Sequence, residues 1–136
     1  MKSYTQLAIE INNANSRIFK YGEHDCFVFS FKCMQSMIGD KEVTTRSGLL
    51  GYNGKEEANV IIEKFGSVFN LANFVALGNG MKLVEEEPSW GDLVLFEQNG
   101  EDTLGVVFNN AVYTSRVGVG VAKFPIGDIK SVWRYV

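Results

Sequence analysis

The 136-residue chain contains a single histidine, only two cysteines and two prolines. One imidazole and two thiols are too few soft ligands for a zinc site, and there is no CxxC pair, so no metal and no cofactor is expected. Cys26 and Cys33 fall on one expected helix. The helical rise between them is about 10 Å, beyond the reach of a disulfide, so both are expected to be free thiols. Lys and Arg nowhere form a cluster, and the net charge is −3. The basic stripe that nucleic-acid binding needs is missing, so no nucleic-acid partner is expected. Met1 to Gln6 lacks a charged-then-apolar leader pattern, and no apolar run approaches membrane-spanning length. Neither a signal peptide nor a membrane span is expected. The chain also lacks repeats, linkers and low-complexity tracts. Its length and its ordinary apolar share of 46% fit one domain over residues 1–136 with its own core.

Hydrophobic periodicity divides the chain in two. Leu7, Ile11, Ala14 and Ile18 repeat at helical spacing and predict a first helix over Tyr4 to Phe19. Asp25 is placed to cap a second helix, Cys26 to Ile38, closed by Gly39. Apolar residues cover most of its circumference, which predicts burial on several sides. Lys41 to Gly54 reads as irregular. Glu56 to Phe65 predicts an amphipathic helix with Ala58, Ile61, Ile62 and Phe65 inward, and Ser67 caps a further helix, Val68 to Leu77. After Asn79 the pattern becomes short runs rich in Val, Phe and Tyr. These predict strands at Met81 to Val84, Asp92 to Glu97, Leu104 to Phe108, Ala111 to Ser115, Val119 to Phe124 and Ser131 to Val136. Turn signals such as Asn99-Gly100 and Asn109-Asn110 separate them. Helices followed by consecutive antiparallel strands predict an α+β fold, N-terminal helices packed on a C-terminal sheet of five or six strands.

The segment Tyr21-Gly22-Glu23-His24-Asp25-Cys26 concentrates the chemistry. It sets a cysteine at the first turn of a buried helix, where unpaired N–H groups and the helix dipole favour a thiolate. A cysteine hydrolase also needs a base facing the sulfur, and the only imidazole is His24. His24 lies two residues before Cys26, a spacing that does not bring side chains face to face within a helix. Its alternative role is to hydrogen-bond loop backbone and pack on Tyr21. Cys26 is likewise either a nucleophile or a small buried residue, and Cys33 reads as core. Phe27, Phe29, Phe31, Phe65, Phe69 and Phe74 read mostly as core. Gly91-Asp92 reads as a turn into a strand, with Asp92 bonding local backbone N–H groups. Glu85-Glu86-Glu87 reads as a solvated acidic run.

Asp25-Cys26 opening a buried helix, followed later by Gly91-Asp92-Leu93-Val94-Leu95-Phe96, resembles the NlpC-type cell-wall peptidase superfamily. That resemblance implies a papain-like fold with Cys26 at the nucleophile position. Thr103-Leu104-Gly105-Val106-Val107 aligns with the family's His-Val-Gly strand, so Thr103 stands at the histidine position. Tyr113 falls near the family's third polar member. Neither threonine nor tyrosine accepts a thiol proton near neutral pH as imidazole does. A narrower resemblance runs along nearly the whole chain. Small proteins of phage tail-gene clusters and prophages share the order Tyr21-Gly22-Glu23-His24-Asp25-Cys26, Gly39-Asp40, Arg46-Ser47-Gly48, Gly91-Asp92-Leu93-Val94, Leu104-Gly105-Val106 and Trp133-Arg134-Tyr135-Val136.

The resemblance implies a structural component of a bacteriophage or prophage tail, at the distal tip or hub, built on a catalytically degenerate papain-like fold. It would be made in the host cytoplasm and carried in the virion. Its partners would be other tail proteins, in several copies around a symmetric ring. Arg46 to Gly54 and the strand ends near Asn109-Asn110 are the expected docking segments. The alternative is a cell-wall cysteine peptidase or amidase acting on host peptidoglycan, with Cys26 as nucleophile and His24 or a neighbouring subunit as base.

Overall fold

The computed structural model describes residues 2–44, 52–116 and 120–135. Among them, four helices precede six strands: α1 (Tyr4–Ala14), α2 (Cys26–Ile38), α3 (Gly54–Phe65), α4 (Val68–Gly78), then β1 (Met81–Val84), β2 (Leu93–Gln98), β3 (Glu101–Phe108), β4 (Ala111–Arg116), β5 (Gly120–Pro125) and β6 (Ile129–Tyr135). The class is α+β, as the sequence pattern predicts. Arg46-Ser47-Gly48, Val119, Val136 and most of the expected docking loop lie outside the described residues.

Ser3 caps α1 by accepting from the Gln6 N–H at 3.2 Å. The helix stops at Ala14, not at Phe19 as the periodicity predicts. The reason is local. Asn12, Asn13, Asn15 and Ser16 follow one another closely, and such side chains compete with the ladder for backbone partners. Ser16 Oγ donates to the Asn13 carbonyl at 3.0 Å. Ile18, counted as an apolar repeat position, is consequently 88% exposed.

The second helix matches its expectation at both ends. Asp25 Oδ1 accepts from the Val28 N–H at 2.9 Å, and Gly39 ends the helix with φ at +72°, a left-handed conformation suited to glycine. Eight of its thirteen residues are buried, which fits an element packed on several sides. α1 lies against one side of it, and β3 and β4 lie against the other.

α3 begins at Gly54, two residues before its predicted start, and has no fully buried residue. Ala58, Ile61 and Ile62 are half-buried, and Phe65 is exposed. Phe74, on α4, is 65% exposed and packs its ring 5.2 Å from that of Phe65. These two phenylalanines are therefore surface residues, contrary to the core expectation, while Phe27, Phe29 and Phe31 are core.

All neighbouring strands pair antiparallel in the order β1-β6-β2-β3-β4-β5. Asn109 and Asn110 both take positive φ, 52° and 60°, the requirement of a two-residue hairpin with the right-handed strand twist. β3 starts three residues earlier than predicted, because pairing continues to Gln98↔Glu101 around Asn99-Gly100. The sheet has two packed faces. Leu93, Leu95, Leu104, Val106 and Trp133 join the helices in the main core. Val94, Phe96, Val107, Val112 and Val132 form a second cluster on the other face, covered in part by Phe124, Ile126 and Ile129. Strand alternation accounts for the division, since successive side chains point to opposite faces. Among the described residues, no single helix is long and apolar enough to cross a membrane.

Distant motif pieces meet in this fold. Asp92, 1% exposed, accepts from Arg134 Nε at 2.9 Å and Nη2 at 2.8 Å. It also accepts from the Ser89 N–H at 2.8 Å, the local backbone bond that the sequence predicts. Arg134 further reaches Glu86 at 2.5 Å and the Glu87 carbonyl at 3.0 Å. The Gly-Asp entry to β2 is thus locked to the end of β6, and part of the acidic run is engaged.

Candidate functional site

A cleft of about 620 Å³ opens at the N-terminus of α2. Cys26 lines it, with Asp25 beside it and Tyr52, Thr103, Ser115 and Arg116 around it. Ala58, Asn59, Ile61 and Ile62 of α3 form one wall. This explains why the apolar face of α3 is only half-buried: it borders open space rather than a filled core.

Asp25 organises the rim. Besides capping α2, it accepts from the Gly22 N–H at 2.8 Å and from the Tyr52 hydroxyl, both on Oδ2. Gly22 has φ at +81°, and a Cβ there would collide with the Tyr52 carbonyl oxygen. The glycine of the Tyr-Gly-x-His-Asp-Cys segment is therefore required both by its conformation and by the close approach of Tyr52. Burial, the Asp25 charge and the hydrogen bond to Asp25 all push the Tyr52 hydroxyl well above its ordinary value. It is a fixed neutral donor.

The Cys26 thiol is pushed up to about 12, first by burial and then by the adjacent Asp25 carboxylate. Main-chain hydrogen bonds from Leu104, Phe27 and Cys26 itself act in the opposite direction. The helix N-terminus is present, but desolvation and a neighbouring anion outweigh it. At neutral pH the group is a thiol, not a thiolate. Cys33 is fully buried, and burial raises its thiol too.

His24 does not line the cleft. Its ring is 3% exposed and lies edge-on to Phe29, with centroids 6.1 Å apart. The expected packing on Tyr21 is replaced, since Tyr21 stacks edge-on with Phe19 at 5.0 Å. The expected ring-to-backbone hydrogen bond is also missing, as neither ring nitrogen has a partner among the described residues. Only the His24 main chain bonds the loop, through Lys20.

Thr103 borders the cleft, but it pairs with Phe96, and cross-strand partners share a face. Phe96 belongs to the second cluster, away from α2. The Thr103 hydroxyl donates to the Glu101 carbonyl at 3.3 Å. Tyr113 sits on the helix side of β4, packed against the main core with its ring 6.3 Å from Phe108, and does not line the cleft. Of the five residues singled out in the sequence, Cys26 and Asp25 sit together at the cleft, Thr103 borders it from the far face of β3, and His24 and Tyr113 do not line it.

Sequence reasoning passed over Tyr52, Ser115 and Arg116. Tyr52 lies in a stretch read as irregular. The available signal was a lone aromatic between glycines in Gly51-Tyr52-Asn53-Gly54, a bulky side chain where a solvated loop needs none. Among the described residues, no group of three His, Cys, Asp or Glu side chains could hold a metal ion.

These features define an α+β domain with a cysteine-lined cleft at a helix N-terminus, a class in which neither fold nor cysteine alone sets the activity. The chain belongs to the family described as Domain of unknown function (DUF6950), whose model matches residues 2–135. No curated protein matches it.

Proposed function

We propose that this chain is a non-catalytic relative of the NlpC-type papain-like hydrolases that serves as a structural component of a phage or prophage tail, at the distal tip or hub. The observation that carries the non-catalytic half is the absence of an imidazole from the residues lining the Cys26 cleft. Thiol acylation needs a group to take the thiol proton and return it to the leaving group. The one histidine is packed against Phe29, and the thiol is held protonated by burial and by Asp25. Asp25 is committed to Gly22, Val28 and Tyr52. Asp102, another carboxylate at the cleft, is bound by Lys130 at 2.7 Å. The tail half of the proposal rests on the ordered motif series from Tyr21 to Val136. Two of its pieces, Gly91-Asp92 and Trp133-Arg134, are joined in the fold by a part-buried ion pair, Arg134 to Asp92 at 2.8 Å.

Two experiments test the halves separately. Purified protein and its Cys26→Ala variant are incubated with peptidoglycan, and released peptides are measured. Equal, background release is expected, and release that depends on Cys26 defeats the non-catalytic reading. Mass spectrometry of purified virions, or of induced prophage particles, tests the assembly half. The expected result is a fixed copy number per particle, and absence from the particles defeats it.

A further inference from the structure

His24 is the buried titratable side chain of the cysteine-bearing loop that does not line the cleft. It is 3% exposed, and both ring nitrogens lack a partner among the described residues. Buried polar atoms are nearly always paired, so a doubly unpaired ring is a point of tension. The surroundings oppose protonation. Arg17, in the turn after α1, and Lys32, on α2, disfavour a positive charge at His24. Glu10 on α1 and Asp25 at the head of α2 favour it, but both are engaged elsewhere. Glu10 holds Arg17 at 2.7 Å and Ser36 at 3.4 Å. Asp25 holds Gly22, Val28 and Tyr52. β4 contributes the neutral Ser115, whose Oγ donates to the His24 carbonyl at 2.9 Å.

The main chain of His24 also ties the cleft together. Its N–H donates to the Lys20 carbonyl at 2.7 Å, and its carbonyl accepts from the Lys20 N–H at 3.1 Å as well as from Ser115. Ser115 lines the cleft, and the next residue, Asp25, holds Tyr52. Among the described residues an imidazolium at this position has no hydrogen-bond acceptor, so it is solvated only by moving toward water. That movement pulls on both tethers.

We propose that His24 is an acid-sensitive trigger, whose protonation releases the Lys20–Asp25 loop and opens the Cys26 cleft by loosening the hold of Asp25 and Ser115 on its walls. The device operates on the geometry of the cleft and stands whether or not the chain is a tail component. The direction of the pH effect follows from burial, which lowers the His24 value below its ordinary 6.5, with Arg17 and Lys32 adding to the effect. The closed state is therefore fully favoured above 6.5 and is lost as pH falls through the lowered folded value.

Because His24 is the only histidine, its ring signal is unambiguous in NMR. The full chain is titrated from about pH 8 to 4.5 while the His24 ring, the Tyr52 ring and the Trp133 indole N–H are followed. The His24 midpoint is expected below 6.5. Tyr52 should shift with the same midpoint, and the Trp133 indole, bonded to Asn73 at 3.0 Å, should stay native. In parallel, Cys26 is labelled with 4,4′-dithiodipyridine, which reacts with thiols in mild acid, and the site is assigned by mass spectrometry. At the lowest pH, wild type should label faster than His24→Gln, since only the wild-type ring gains a proton there. A midpoint at or above 6.5, a titration that Tyr52 does not sense, loss of the Trp133 signal with the same midpoint, or equal labelling of wild type and variant each overturns the proposal. If His24→Gln does not fold, the wild-type titration decides alone.

Discussion

Removing Arg134 tests the structural logic of this fold most directly. Asp92 is 1% exposed and takes two hydrogen bonds from the Arg134 guanidinium, whose own side chain is 18% exposed. In Arg134→Met the aliphatic stem is kept and the charge removed. Among the described residues the Asp92 carboxylate then keeps only the Ser89 N–H, and an uncompensated buried charge costs about 3–5 kcal/mol. Asp92→Asn keeps the shape and removes the charge from the other side. The loss there is of charge-assisted hydrogen bonds, about 1.5–3 kcal/mol. The two residues are in contact, so the double variant Asp92→Asn/Arg134→Met should cost less than the sum of the singles, by on the order of 1–3 kcal/mol. The assay is equilibrium urea unfolding followed by tryptophan fluorescence, which reports on the buried Trp133 next to Arg134. With an m-value of roughly 1.5 kcal/mol/M, Arg134→Met should lower the midpoint by about 2–3 M. A shift of under about 0.5 M with unchanged m refutes the claim that this pair locks β2 to β6, as does strict additivity in the double variant.

The other expectations concern the cleft and the surface. Cys26, with its thiol pushed up to about 12, should alkylate at pH 8 some three orders of magnitude more slowly than a free thiol, in proportion to its thiolate fraction. A rate near that of free cysteine would contradict the account of burial and of Asp25. Tyr52→Phe removes one donor from the buried Asp25, so it should cost about 1–2 kcal/mol by urea titration and speed Cys26 labelling. An unchanged midpoint would show that Tyr52 does not hold the rim. Gly22→Ala, forced to a positive φ and against the Tyr52 carbonyl, should lose more than about 2 kcal/mol. Phe74→Ser, on a 65% exposed side chain, should change stability by less than about 0.5 kcal/mol, and a larger loss would mean that its contact with Phe65 matters more than exposure suggests.

Local chemistry made much of the architecture readable. Asp25 and Gly39 announced both ends of α2 because a cap and a left-handed glycine are satisfied within a few residues. Asn109-Asn110 announced its hairpin because positive φ is a property of the residue itself. The end of α1 was misread for an equally local reason, since the apolar period ran on through Ile18 while Asn and Ser side chains had already ended the ladder.

What the sequence alone determined, then, was the order of helices and strands, the position of Cys26 at a helix start, and the shortage of imidazole. Each is a matter of residue type or of spacing within one or two turns. Only the tertiary structure decided which of these residues meet. It packed His24 against Phe29 instead of against the sulfur, paired Thr103 with Phe96 on the face away from α2, and brought Tyr52 across 27 positions onto Asp25. It also turned the helix N-terminus from an activating into a silencing environment, since burial and the adjacent carboxylate outweigh the dipole at Cys26. Desolvation and long-range contact depend on what the rest of the chain places around a group, and no window of sequence contains that information.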